Sequence, residues 1–147
     1  AGAAPDDVRE ALGAIAAWAA RQFGGVSPPL MVYGKSWGGG RAVEACDAVG
    51  AAGLCLVCPA IAGKALDECI PALKVPVLLA WARDDDVIPF DSHAPLLEKL
   101  RARSSGRTAF VAVERGGHRV DRMAALDAGL EVKLVEWPDL ALGVLAT

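Results

Sequence analysis

The sequence predicts an α/β protein whose sheet is mostly parallel and carries helices on both faces. Two observations predict this class. Short, continuously apolar runs alternate with helix-like stretches, and none of these runs shows the in–out alternation of a one-sided sheet. Apolar residues make up 54% of the 147 residues, enough for one buried core and not for two. We therefore expect residues 1–147 to form a single domain.

The individual elements follow from apolar spacing and from helix breakers. Residues 6–23 carry apolar side chains at three- and four-residue steps, which predicts an amphipathic helix that ends at Gly24 and Gly25. The same reasoning predicts further helices at residues 38–49, 65–73, 91–103 and 120–147, the last broken near Pro138. Strands are predicted at residues 30–33, 54–58, 75–82 and 108–113.

Composition excludes several classes of function. A net charge of −3, with no cluster of basic residues, argues against a nucleic-acid partner. No apolar run approaches the ~20 residues of a transmembrane helix, so none is expected. Cys55 and Cys58 have metal-ligand spacing, but they lie in a predicted strand and would point to opposite faces. We expect no metal and free buried thiols, which slightly favours a reducing compartment such as the cytoplasm or an organelle interior.

The stretch LMVYGKSWGGG, residues 30–40, allows two interpretations. Its Gly-Lys-Ser is the end of a phosphate-binding loop, and its Gly-Lys-Ser-Trp-Gly is a G-x-S-x-G motif. A phosphate-binding loop requires glycine at position 29 and a flexible loop after it. Position 29 is Pro29 and a predicted strand follows, so the backbone amides are committed to the sheet. The phosphate-binding interpretation fails.

The G-x-S-x-G interpretation fits its surroundings. In a nucleophile elbow a strand turns sharply into a helix with serine at the apex, and the residues two positions to either side must be small. Gly34 and Gly38 satisfy that requirement around Ser36. The backbone N–H of Trp37 would then donate to a developing oxyanion. The motif alone is weak evidence, and the predicted strand–turn–helix context strengthens it.

An elbow serine needs a downstream acid and then a histidine. The segment AWARDDDVIPF offers three aspartates after the third predicted strand, and VAVERGGHRV places His118 after the fourth. Parallel strands present their carboxyl ends at one edge, so these side chains are expected near Ser36. His93 opens a predicted helix without a motif around it, and we expect it to face solvent.

With these motifs in order, the chain resembles the α/β-hydrolase superfamily, in its lidless branch around dienelactone hydrolases and small carboxylesterases. That branch carries a G-x-x-D-x-x-V-P pattern, here ARDDDVIP with Ala82 in place of the glycine. Aligning Ile88 and Pro89 selects Asp85 as the acid, with Asp84 and then Asp86 as alternatives.

The resemblance implies a Ser36–His118–Asp85 triad that cleaves a small ester, lactone or thioester through an acyl-enzyme without a cofactor. The connection between Cys58 and Val75, where the family inserts its lid, is short. An open site is therefore expected.

The resemblance also implies that about the first half of the family's sheet is absent from these 147 residues, together with the loop that supplies a second oxyanion donor. The strand at residues 30–33 would then be an uncovered edge. We expect the missing strands to come from a longer chain or from a partner chain. A competing hypothesis follows, in which the chain is a non-catalytic hydrolase-fold module that serves as an interaction or structural subunit of a larger assembly.

Overall fold

Four parallel strands form one sheet in the computed structural model, which describes residues 5–122. The strands are β1 (Met31–Lys35), β2 (Gly53–Val57), β3 (Val77–Ala82) and β4 (Thr108–Val113). They lie side by side in chain order, with Met31 opposite Gly53, Leu54 opposite Val77 and Val77 opposite Thr108. This arrangement confirms the predicted class, an α/β protein with a parallel sheet.

Helical segments connect the strands. They are α1 (Pro5–Gln22), α2 (Gly38–Cys46), a π-helical segment (Ala65–Cys69), α3 (Ile70–Ala72), a 3₁₀ turn (Phe90–Ser92), α4 (His93–Arg101) and a final 3₁₀ segment (Gly117–Arg122). No helix in residues 5–122 combines the length and the apolarity that crossing a bilayer requires.

The hydrophobic core lies around the two central strands. Every residue of β2 and of β3 is buried, as expected for strands covered on both faces. Trp81 is only 1% exposed, and its indole N–H donates to the carbonyl oxygen of Ile88. This bond ties β3 to the loop that follows it, which carries the three aspartates.

Some predicted details are wrong. Helix α2 ends at Cys46 rather than at residue 49, and a turn with Gly50 at φ 60° leads on to β2. His93 does not face solvent: it is partly buried, with its ring stacked on Phe110 at a centroid distance of 4.9 Å. The aromatic partners arrive from the neighbouring strand, which helical spacing cannot indicate. The predicted helix beyond residue 122 and Pro138 lie outside the described residues.

The strand β1 lies at an edge of the described sheet, as predicted. Tyr33 in this strand is 51% exposed, in agreement with the expectation of an uncovered edge. An apolar groove of about 330 Å³ runs between β1, α1 and the start of α2. Ile15 and Trp37 line this groove and are 55% and 52% exposed. We call this surface the edge groove.

We expect the edge groove to make the 147-residue chain self-associate, because apolar sheet edges pair with other chains. Ile15→Lys should shift the chain toward monomer in sedimentation velocity. Val87→Lys removes a comparably exposed side chain (62%) outside the groove and should leave association unchanged. A wild-type chain that stays folded and monomeric as concentration rises would refute the expectation that β1 needs a cover.

Candidate active site

Ser36 occupies an abrupt turn between β1 and α2. Its φ of 52° lies in the left-handed region, which costs a residue with a β-carbon about 1 kcal/mol or more. Neighbouring segments maintain this conformation: the Ser36 N–H donates to the carbonyl oxygen of Val57 at 3.1 Å. The Ser36 carbonyl oxygen accepts from the N–H groups of Gly39 at 2.9 Å and Ala60 at 2.7 Å. The chain therefore has the strained strand–turn–helix geometry that the motif predicts.

The glycines around this turn are not equivalent. A β-carbon on Gly34 would lie 2.6 Å from the Ala42 β-carbon and 2.9 Å from the Gly39 α-carbon, so only glycine fits there. At Gly38 a β-carbon would meet no described atom within 4 Å, so the described neighbours do not impose the small residue that the motif predicts. Gly39, which the motif does not include, would place a β-carbon 2.4 Å from that of Pro59. Gly34 therefore allows α2 to pack closely against β1. Gly39 allows α2 to pack closely against the segment after β2.

Trp37 follows the serine and is the N-cap residue of α2. Backbone N–H groups in the first turn of a helix have no acceptor within that helix, so they can serve an external oxygen. The indole side chain is 52% exposed, and the Arg41 guanidinium lies 5.5 Å from its ring centroid. The position suits the predicted oxyanion role of the Trp37 N–H, which remains a prediction.

Asp85 is a buried carboxylate on the loop after β3. Its Oδ1 accepts from the N–H groups of Val87 and Ile88, each at 2.9 Å, and its Oδ2 lies 3.0 Å from His118 Nδ1. Burial by itself raises the pKa of Asp85. The hydrogen bonds from His118, Ile88, the Cys58 thiol and Val87 outweigh burial and hold the pKa below its ordinary value of 3.8. The carboxylate therefore stays ionised beside the imidazole.

His118 is the second residue of the final 3₁₀ segment, and a second aspartate holds the start of that segment. Asp84 accepts hydrogen bonds from the backbone N–H groups of Gly117 at 2.8 Å and Gly116 at 3.3 Å. Gly116 and Gly117 have φ values of 145° and 55°, a backbone path that favours glycine. Of the three adjacent aspartates, Asp85 contacts the imidazole, Asp84 positions the loop that carries it, and Asp86 is exposed.

A third side chain, Cys58, reaches the Asp85–His118 pair. Ligand atoms of these three residues lie within 4.8 Å of one another, a set that could contact a metal ion. Burial raises the pKa of the Cys58 thiol to about 12, which opposes the thiolate form that binds metals. The donor chemistry therefore suits proton handling better than metal binding. Sequence spacing had suggested only a pairing of Cys58 with Cys55.

A cavity of about 460 Å³ opens beside the serine turn. Its lining comes from the start of α2, the segment after β2, and the region from the loop after β3 into α4; among the lining residues are Trp37, Ala60, Ile61, Leu66, Ile88 and Leu96. Most of this surface is apolar, and its size falls within the range of small-molecule pockets. The short connection between β2 and β3 carries only the π-helical segment and α3.

Comparison with solved structures identifies the fold. A serine hydrolase homologue from Coxiella burnetii aligns with a TM-score of 0.62 and 19% identity, over 80% of this chain and 55% of that one. A candidate dienelactone hydrolase from Klebsiella pneumoniae has a TM-score of 0.62 and 22% identity, over 85% and 62%. An acetyl ester-xyloside bifunctional hydrolase from Caldicellulosiruptor lactoaceticus gives 0.67 and 14%, over 97% and 66%.

The chain therefore has the α/β-hydrolase fold, as its sequence motifs predicted. It spans about 55–62% of the length of the Coxiella and Klebsiella proteins, so it matches part of their fold. No family model and no curated protein matches the chain.

The sequence motifs predicted the positions of the three candidate residues after strands, and the catalytic roles of these residues remain predictions. Ser36, Asp85 and His118 each follow a parallel strand at its carboxyl end, and the structure brings Asp85 and His118 into direct contact. The contributions of Cys58 and Asp84 were missed. Cys58 immediately follows β2, the strand between those that lead to Ser36 and Asp85, and that position was a usable signal. Nothing in the sequence indicated the Asp84 contacts except the two glycines that precede His118.

The two motif glycines should respond differently to alanine. Gly34→Ala forces a β-carbon against Ala42 and should lower the free energy of unfolding by about 1–3 kcal/mol or more. Gly38→Ala should change it by about 1 kcal/mol at most, because the new methyl group meets open space. Urea denaturation of both variants measures the difference. Equal losses would contradict the described packing of α2.

Asp85 should make stability depend on pH at the acid end. Since its folded-state pKa is depressed, its contribution is fully present above about pH 4 and is lost as pH falls through the folded-state value. Asp85→Asn should therefore unfold more easily at pH 7, by about 1–3 kcal/mol, and the gap should close toward acid pH. Thermal melts from pH 2 to pH 7 measure it, with exposed Asp86→Asn as the control. A gap that does not vary with pH would contradict the assigned hydrogen bonds.

Proposed function

We propose that this chain carries the catalytic machinery of a serine hydrolase that cleaves a small ester, lactone or thioester through an acyl-enzyme. The observation that carries the proposal is the 3.0 Å contact between Asp85 Oδ2 and His118 Nδ1. It occurs at the strand edge where Ser36 adopts a left-handed turn. A buried carboxylate paired with an imidazole, at the sheet edge that also carries a strained serine, supports acyl-transfer chemistry.

Each group has a distinct role in the first half of the reaction. Contact with Asp85 holds Nδ1 of His118 as the protonated nitrogen, so Nε2 is left to accept a proton. Ser36 Oγ attacks the carbonyl carbon and transfers its proton to Nε2. The imidazolium that forms is stabilised by the Asp85 carboxylate, and the Trp37 N–H donates to the oxyanion. His118 then protonates the departing alkoxide or thiolate, leaving Ser36 acylated.

Water completes the cycle. His118 removes a proton from a water molecule, whose oxygen attacks the acyl carbon of the ester on Ser36. Collapse of the second tetrahedral intermediate breaks the bond to Ser36 Oγ, and His118 returns the proton to that oxygen. The products are a carboxylic acid and an alcohol or thiol, or a hydroxy acid from a lactone. No step needs a cofactor.

The substrate class follows from the apolar cavity beside Trp37. A volume of about 460 Å³ accommodates a small acyl or alcohol group and not a polymer chain buried along its length. Its lining near the turn, including Ile61 and Ile88, offers apolar contact rather than a cluster of charges. Short, uncharged acyl esters are therefore the first substrates to test.

Ser36 should react with a fluorophosphonate probe in the full-length protein. Ser36→Ala should abolish labelling and reduce hydrolysis of a short-chain nitrophenyl ester by about 10³-fold or more. Ser92→Ala, which changes a serine lining the cavity away from the turn, should label normally. Intact-mass spectrometry locates the adduct. Labelling that persists in Ser36→Ala, or no labelling in the full-length protein, would end the proposal.

A non-catalytic module in a larger assembly is the second candidate, and the uncovered edge groove favours it. We propose that the 147 residues form one domain whose sheet is completed by further strands, from a longer polypeptide or from a partner chain. Under the catalytic proposal these strands also bring the second oxyanion donor. Ester hydrolysis that depends on Ser36 supports catalysis. Stable assembly with no Ser36 reactivity supports the module.

A further inference from the structure

Cys58 has a backbone that nothing in the proposed mechanism explains. It follows β2 directly, and its φ is 42°. Within residues 5–122 it shares a positive φ only with Ser36 among non-glycine residues. Its own N–H donates to the carbonyl oxygen of Ala80 on β3 at 2.9 Å, which keeps the residue in place. Strained backbone of this kind persists where surrounding structure enforces it, and it concentrates at functional sites.

The strained backbone directs the thiol toward the acid. Cys58 has no exposed surface, and the interaction of its thiol with the Asp85 carboxylate helps to lower the pKa of that carboxyl. Its sulfur lies within 4.8 Å of the ligand atoms of Asp85 and His118. Burial raises the pKa of the thiol to about 12, so the sulfur keeps its proton at neutral pH. The group is thus a hydrogen-bond donor and not a second nucleophile.

We propose that Cys58 is a positioning residue for the acid of the triad: its S–H donates to the Asp85 carboxylate and helps hold Oδ2 toward His118 Nδ1. This role rests on the proposed hydrolase function. The backbone donors of Val87 and Ile88 both contact Oδ1, so they fix one oxygen and leave rotation of the carboxylate to be restrained by its other partners. Cys58 and His118 are the side chains that supply this restraint.

The charged surroundings of this donor are few in the described residues. Lys35, at the end of β1, acts on the thiol electrostatically and favours its charged form, whereas Asp85 opposes it. Asp84 is directed to the Gly116–Gly117 backbone. A change at Cys58 should therefore be felt first by Asp85 and through it by His118.

Cys58→Ala and Cys58→Ser test the role in the full-length protein. Cys58→Ala removes the donor, so the Asp85 carboxylate keeps more of its charge for His118 and stabilises the protonated imidazole, the form that cannot accept the Ser36 proton. The acid limb of the pH profile of kcat/KM should then move up by about half a pH unit, and kcat should fall about three- to tenfold. Cys58→Ser retains a donor and should restore both toward wild type.

The matched control is Cys55→Ala. Cys55 is a buried thiol on β2, the strand that Cys58 follows, and burial alone accounts for its pKa of about 12. Its loss should lower stability without moving the acid limb. Equal effects of Cys58→Ala and Cys58→Ser, or an unmoved limb in Cys58→Ala, would overturn the proposal, because a purely structural thiol predicts those outcomes.

Infrared spectroscopy of the resting protein separates this proposal from the hydrolase function. Subtracting the Cys58→Ala spectrum isolates the S–H stretching band of Cys58, and Cys55→Ala isolates a buried reference band. The Cys58 band should lie at lower frequency and should move toward the reference in Asp85→Asn. An active enzyme whose two bands coincide would overturn the Cys58 proposal alone. If the Cys58 band lies at lower frequency but the protein shows no Ser36-dependent hydrolysis, the hydrogen bond between Cys58 and Asp85 stands and its role in catalysis is refuted.

Discussion

The burial of one charged carboxylate, that of Asp85, organises the whole candidate site. An ionised carboxylate away from water is costly unless hydrogen bonds replace its hydration. The donors come from the end of β2, from the loop after β3 and from the segment after β4. Satisfying this one charge therefore requires three connections of the sheet to converge at the same edge. The pair with His118 is a consequence of that convergence.

The serine turn depends on a second constraint, which is steric. Helix α2 starts so close to the strands that Gly34 and Gly39 have no room for a β-carbon. Because α2 begins so close to β1, the chain must reverse direction within very few residues. Ser36 adopts a left-handed conformation in this turn, and its backbone hydrogen bonds maintain it. The conformation of the serine follows from packing between backbones, which places the residue at the apex of the turn. Gly38 is different, because its open side faces the edge groove.

The edge groove lies on the side of the sheet where the described structure is open to solvent. At β4, the other edge strand of the described sheet, the chain continues into the 3₁₀ segment that carries His118, whereas on the side of β1 the described structure presents apolar side chains to solvent. Ile15, Tyr33 and Trp37 are each more than half exposed there. A large exposed apolar surface beside a strand edge is typical of a region that other structure covers. The Coxiella and Klebsiella proteins are longer than the part that this chain matches.

Much of this protein could be predicted from sequence because the determining signals are local. Continuous apolar runs specify strands buried on both faces, and helical spacing between them specifies parallel connections, so the architecture and the order Ser36, Asp85, His118 were accessible. Asp85 was distinguished from its two neighbours only by resemblance to a family pattern. What tertiary structure alone decided are contacts between segments distant in sequence. These contacts include the approach of the Cys58 thiol to Asp85 and the hydrogen bond from the Gly117 N–H to Asp84. They also include the stacking of His93 on Phe110. The lack of room for a β-carbon at Gly39, and not at Gly38, was decided in the same way. Each depends on distances across the sheet or between a helix and a loop, and residue spacing along one element carries no information about them.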